Sequence, residues 1–153
     1  MEDEWEQPFG WQVIVVQARG RCKPNAKPTP LQATISYGDT KESTPILVER
    51  QPLWNFWAQM PDQGGQEQMV FSVLERDKAT ESMTVKGEVR VDLSQYRLCG
   101  KSFEIWERLI PKAQIGAMTA PELHLTISYS AKKDTLESDT DCIMCSWSEC
   151  VIS

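Results

Sequence analysis

Apolar and polar residues alternate with a period of two along most of this chain, and that period belongs to β-strands rather than helices. Trp11-Gln12-Val13-Ile14-Val15-Val16-Gln17-Ala18 is rich in β-branched residues and lies between Gly10 and Gly20, which predicts a first strand. Residues 21–30 hold Pro24, Pro28 and Pro30 beside Arg21, Lys23 and Lys27, and predict a loop. Leu31, Ala33, Ile35 and Tyr37 alternate with polar neighbours, and Gly38-Asp39 supplies a turn after them. A short strand is expected over 43–48, broken before Pro52. Residues 53–60 are apolar and aromatic, and Pro61-Asp62-Gln63-Gly64-Gly65 ends them as a hairpin-type loop.

The second half repeats the pattern. Residues 66–75 alternate through Met69, Phe71 and Val73, and 76–82 form a polar loop. Residues 83–93 read as a strand with Val85, Val89, Val91 and Leu93 on one face and a bulge at Gly87. A connector over 94–100 leads to a strand over 101–110 that carries Phe103, Ile105, Trp106 and Leu109. The last strand, 122–130, turns Leu123, Leu125, Ile127 and Tyr129 to one face. About eight strands at short, even spacing predict an all-β, antiparallel sandwich or barrel. There is no long helical stripe and no internal repeat.

Length and charge sharpen this picture. The chain has 153 residues, enough for one domain with a real core. It divides into an acidic segment 1–8, a β-domain 9–130 and a flexible acidic tail 131–153. Net charge is −6, but residues 1–7 carry four acids and no base, and 131–153 carry five acids against Lys132 and Lys133. The body between them is close to neutral. No global basic field for nucleic acid exists. No apolar run approaches the ~20 residues that span a bilayer. The start, Met1-Glu2-Asp3-Glu4-Trp5-Glu6, has neither a basic nor an apolar leader region, so synthesis in the cytosol is expected. Reduced thiols are then expected at Cys22, Cys99, Cys142, Cys145 and Cys150.

Nothing in the sequence assembles a catalytic centre. The one histidine, His124, alternates with Leu123 and Leu125 and is expected on the outward face of the last strand. No nucleophile-activating pair and no phosphate-binding glycine loop is present, so the chain reads as a non-enzyme without a cofactor. Trp11, Trp54 and Trp106 fall at strand positions and are expected in the core. Trp57 fits either face, and Trp5 and Trp147 lie in the acidic ends.

The order of these segments resembles a C2 domain over residues 9–130. Val13-Ile14-Val15-Val16-Gln17-Ala18-Arg19 is similar to the family's aliphatic opening strand with its Ala-Arg pair. Pro30-Leu31-Gln32-Ala33-Thr34-Ile35-Ser36-Tyr37-Gly38 resembles its second strand, and Gln51-Pro52-Leu53-Trp54-Asn55-Phe56-Trp57 its Trp-Asn strand. Similar matches follow at Val70-Phe71-Ser72-Val73-Leu74-Glu75-Arg76-Asp77, Gly87-Glu88-Val89-Arg90-Val91-Asp92-Leu93, Trp106-Glu107-Arg108-Leu109 and the last strand. The order implies an eight-stranded antiparallel C2 sandwich in its circularly permuted, type II form.

The family often binds phospholipid through calcium held by carboxylates on two loops at one end of the sandwich. Calcium takes six to eight oxygens, several of them anionic. Here the first loop, 20–30, has no acid, and the second offers only Glu75, Asp77 and Glu81, so no metal site is expected beyond that remnant. Bases stand in its place: Arg19, Arg21, Lys23 and Lys27 in or beside the first loop, Arg76 and Lys78 in the second. The resemblance brings both loops to one end, and a basic cap there would meet an anionic phospholipid or an acidic protein partner without calcium.

The tail carries a sharper motif. Cys150-Val151-Ile152-Ser153 fits a C-a-a-X prenylation signal of the farnesyl type. A single isoprenoid holds a protein only marginally, and the acidic tail offers no polybasic support, so Cys142 and Cys145 are candidate palmitoylation sites. The reading is a lipid-anchored C2 adaptor on the cytosolic face of a plasma membrane or endomembrane, with a cytosolic pool. The alternative is a protein-interaction scaffold, for example centrosomal or ciliary, whose sandwich does not bind lipid.

Overall fold

A computed structural model describes residues 10–98, 100–111 and 114–130. The acidic segment 1–8, the tail 131–153 with Cys142, Cys145 and Cys150, and Cys99 lie outside the described residues. The described chain is all-β. In order it forms β1 (Gly10–Cys22), β2 (Pro30–Tyr37), β3 (Thr40–Ser43), β4 (Leu47–Val48), β5 (Leu53–Met60), β6 (Gln68–Arg76), β7 (Met83–Asp92), a 3-10 turn (Leu93–Tyr96), β8 (Ser102–Arg108), β9 (Gln114–Ile115) and β10 (Met118–Ser130). Two antiparallel sheets stack as a sandwich. One runs β5-β1-β10-β8 and the other β3-β2-β6-β7, which makes eight principal strands. The two-residue strands β4 and β9 pair at the margins with β2 and β10.

The alternation read from the sequence fills the space between the sheets. Trp11, Val13, Val15 and Ala18 of β1 meet Ile35, Phe71 and Val73 of the facing sheet in one core cluster, all fully buried. The valine, isoleucine and phenylalanine side chains among them each contribute about 1.5–3 kcal/mol when fully withdrawn from water. The expected strand over 43–48 is split. Pro45 has no N–H to give the ladder. Thr44 takes over, its Oγ1 accepting the Ala33 N–H at 3.0 Å, and β3 and β4 fall on either side of this break.

Two side-chain placements differ from the sequence reading. Val85 does not share the core face with Val89 and Val91; it is 50% exposed. The pairing Val73↔Gly87 is followed by Leu74↔Val85, so Lys86 is an extra residue and the faces invert before Gly87. Gly87 suits the tight approach of Leu109, whose Cβ would lie 3.0 Å from a Cβ added there. Trp106 is not core either. It lies on the outward face of β8 at 36% exposure, since Leu109 and the partly buried Phe103 and Ile105 take the inner positions.

The end where β1 starts and β10 stops is held by a polar cluster. Tyr129 donates to Asp62 Oδ2 at 2.7 Å, Arg97 Nη1 donates to the same oxygen at 3.0 Å, and the Tyr37 hydroxyl reaches Oδ1 at 3.2 Å. Burial opposes ionisation of Asp62, but these donors outweigh it and hold its carboxyl below its ordinary value of 3.8. The Tyr129 hydroxyl is pushed up to about 12, first by burial and then by the Asp62 carboxylate. A carboxyl that is more acidic in the folded state stabilises the fold above the ordinary carboxylate range and loses that contribution as pH falls through it. Asp62→Asn should therefore cost about 1.5 kcal/mol at neutral pH, at the low end for charged hydrogen bonds because the site is partly solvated. It should also flatten the acid limb of a urea-stability profile; an unchanged limb would reject this role.

Candidate functional site

The loops that follow β1 and β6 come together at the opposite end of the sandwich. Glu75 Oε1 accepts the N–H of Gly116, in the turn between β9 and β10, at 3.0 Å, which ties the β6 exit to that turn. A cleft of about 260 Å³ opens beside it, lined by Thr29, Pro30, Glu75, Arg76, Asp77, Lys78, Thr84 and Lys86. Arg76 and Lys78 are exposed in its wall, as is Lys86, which the bulge before Gly87 turns out of the alternation. None of these three cations forms an ion pair with a described residue.

The Asp77 carboxylate of the same loop is engaged by backbone, as that of Glu75 is. Asp77 Oδ1 accepts the N–H of Ala79 at 2.7 Å, and the Asp77 N–H donates to the Ser82 carbonyl at 2.8 Å. Glu81 has φ +61 in the tight turn, and its N–H donates to the Asp77 carbonyl. With one oxygen of Glu75 and one of Asp77 taken, and no acid in the facing loop, these residues do not fit a calcium cage. Among the described residues no group of three or more His, Cys, Asp or Glu side chains could hold a metal ion.

Lys23 and Lys27 stand exposed on the first loop. That loop is shaped by Arg50, whose guanidinium donates to the carbonyls of Lys23 and Pro24, the second at 3.1 Å. Sequence does not single out Arg50, since a lone base between β4 and β5 carries no periodic signal. Lys86 carries one: a bulge at Gly87 implies that the residues before it change face.

Arg19 and Arg21 are carried elsewhere. Two residues of β10, Ala120 and Pro121, stand opposite Gly20, because the ladder passes from Arg19↔Glu122 to Arg21↔Thr119. A Cβ at Gly20 would lie 3.0 Å from both Cβ of Met118 and Cα of Pro121, tighter than ordinary contact, so glycine eases this approach. Ala18 and Cys22 face the core on either side. The extra residue in β1 is Val16, between Val15↔Leu125 and Gln17↔His124; it shifts the inward positions from Val13 and Val15 to Ala18 and so puts both arginines on the outward face of the β5-β1-β10-β8 sheet. The Arg19 guanidinium sits 4.3 Å from the centre of the Trp106 ring, worth about 0.5–1 kcal/mol at an exposed site. Trp106 stacks on His124 at 4.0 Å, and His124 Nε2 lies 2.6 Å from Glu104 Oε2. His124 is therefore on the outward face but covered. Arg108 shares this face, its Nε 3.8 Å from Glu122.

No family model matches the sequence, and no curated protein matches it. Solved structures do. A C2 domain of plant extended synaptotagmin 1 superposes with a TM-score of 0.65 at 16% identity, over 82% of this chain and 97% of that one. A structure of CC2D1B gives 0.63 at 16% identity, over 88% of this chain and 61% of that one. A further C2 domain gives 0.59 at 13% identity, over 80% and 99%. Two of these comparisons span nearly a whole C2 domain while using most of the described strands, so the chain has the fold of a C2 domain.

Proposed function

We propose that this chain is a non-enzymatic, calcium-independent C2 module that docks on anionic phospholipid at the cytosolic face of a membrane through the cleft between its β1–β2 and β6–β7 loops. The observation that carries this reading is the set of three cations, Arg76, Lys78 and Lys86, that wall one cleft with no ion-pair partner among the described residues. Lys23 and Lys27 add charge on the facing loop. Each base near an anionic leaflet contributes about 1 kcal/mol. The engaged carboxylates of Glu75 and Asp77 support independence from calcium. The permuted, type II strand order belongs to the same reading, and the pairing of β1 with β10 is compatible with it. The direct test is sedimentation of the full chain with phosphatidylserine-containing and neutral vesicles, with calcium and with chelator. Binding that needs calcium, or that ignores the anionic lipid, rejects the proposal.

Attachment is assigned to the tail. Cys150 is the farnesylation site, with Cys142 and Cys145 as reversible acyl sites, because one isoprenoid alone gives marginal anchoring. The intact mass of protein from eukaryotic cells should show a farnesyl group and loss of Val151, Ile152 and Ser153. An unmodified mass would leave the sandwich without an anchor.

The scaffold reading has its own support. Trp57 is 67% exposed and Leu53 50% exposed on β5, an edge strand that leaves apolar surface open to a protein partner. The similar structure of CC2D1B is of a protein described as coordinating ESCRT-III activity. Vesicle binding that survives Trp57→Ala but not loss of the cleft bases favours the lipid reading.

A further inference from the structure

The outward face of the β5-β1-β10-β8 sheet holds positive charge that the cleft does not use. Arg19, Arg21 and Arg108 lie together near the far end of β1 and β10, with Trp106 and His124 as an aromatic floor. An open groove runs between Arg19 and Arg108, bounded by Gln51, Ala120 and Glu122. Glu122 is the one carboxylate in it, and its contact with Arg108 is long at 3.8 Å. Arg21 makes no ion pair with a described residue. Two of three guanidinium charges are left over, oriented by a bulge and a ring rather than by an acid.

The chain carries its own complement. Glu137-Ser138-Asp139-Thr140-Asp141 places three carboxylates at alternate positions, and no base follows Lys133. In extended backbone, alternate side chains point to one side, about 7 Å apart. The reach also fits. From Ser130 back to Glu122 is eight residues of β10, about 27 Å. Extended chain covers at most about 3.6 Å per residue, so positions 139 and 141 reach about 32 and 40 Å from Ser130 and pass the level of Glu122, while position 137 reaches about 25 Å and needs its side chain to meet that level. The acidic N-terminal segment is a poorer candidate. Only Glu2, eight residues from Gly10 and at most about 29 Å away, approaches Arg19 about 30 Å along β1, and Asp3, Glu4 and Glu6 fall further short, whereas Asp139 and Asp141 of the tail pass that level.

We infer that residues 137–141 of the same chain dock on this arginine face, their carboxylates pairing with Arg19, Arg21 and Arg108 over the Trp106–His124 floor. The contact folds the tail back along the sandwich and sets aside one basic surface, leaving the cleft as the surface open to an anionic leaflet. It holds whether or not the cleft binds lipid.

The test is a pair of amide and indole nuclear magnetic resonance spectra of the unlipidated full chain. One is of the chain as it stands and the other of the E137Q/D139N/D141N variant, whose substitutions lie outside the sandwich. Near 20 mM salt the resonances of Arg19, Arg21, Arg108 and the Trp106 indole N–H should differ between the two, and near 500 mM salt they should coincide, as screening removes exposed ion pairs. The K78Q/K86Q variant should leave the low-salt difference in place. Coincident spectra at low salt overturn the inference. So do differences confined to Arg76, Lys78 and Lys86, which would place the acids on the cleft. Differences that vanish on dilution overturn it too, because they assign the contact to a second copy.

Discussion

Phe71→Ala should lower the unfolding free energy by about 3–5 kcal/mol, while Trp57→Ala should change it by less than about 0.5 kcal/mol. Phe71 is fully buried in the central strand β6, registered between Ile35 of β2 and Val89 of β7. Truncation removes the transfer free energy of the ring and leaves a cavity that two paired neighbours cannot close without breaking the ladder. A domain of this size has about 5–15 kcal/mol in hand, so the variant should unfold at a much lower urea midpoint with a similar slope. Trp57 is the larger side chain, yet it points outward from the edge strand β5 and is 67% exposed. Burial rather than size decides between them. Equal losses for the two variants, or a larger loss at Trp57, would mean that the faces of β5 or β6 are inverted.

The same contrast marks how far the sequence can be read. An apolar run such as Leu53–Met60 is legible because its composition alone separates it from the proline- and glycine-rich loops on either side. The core of β1, β2, β6 and β10 is legible because a period of two forces one face inward wherever a strand stays regular. Irregular strands break that inference. Val85 reads as buried until the extra residue Lys86 is counted against β6, and that pairing joins segments whose register is set by the whole sheet. Trp106 reads as buried because it is large and aromatic, but β8 is an edge strand whose outward position it shares with Glu104 and Arg108.

The candidate site shows the same division. The composition of the two loops places bases where a C2 domain that binds calcium needs acids. Which bases act together is hidden from it. The separation of Arg19 and Arg21 from the cleft depends on the extra residue Val16, which shows only when β1 is paired with β10, far away in sequence. The shape of the first loop depends on Arg50 capping the carbonyls of Lys23 and Pro24. Local patterns record what a residue prefers, and these features record what a distant strand imposes.

Neutralising the cleft should abolish most vesicle binding. In the R76Q/K78Q/K86Q variant three bases are lost, and at about 1 kcal/mol each the partition onto phosphatidylserine-containing vesicles should fall about 100-fold. The effect should be largest at low salt, since the Debye length shortens to about 10 Å near 0.1 M and exposed charges then act only at close range. The fold should be untouched, because none of the three side chains is paired with a described residue and all are exposed. The R19Q/R21Q pair is the discriminating control. Both side chains belong to the outward sheet face rather than the cleft, so their loss should weaken vesicle binding far less than the triple change does. Calcium should alter neither result, because an oxygen of Glu75 and one of Asp77 already accept backbone N–H groups and the facing loop supplies no acid. Vesicle binding that persists in the triple variant, or that fails equally in the R19Q/R21Q pair, would remove the cleft as the docking surface.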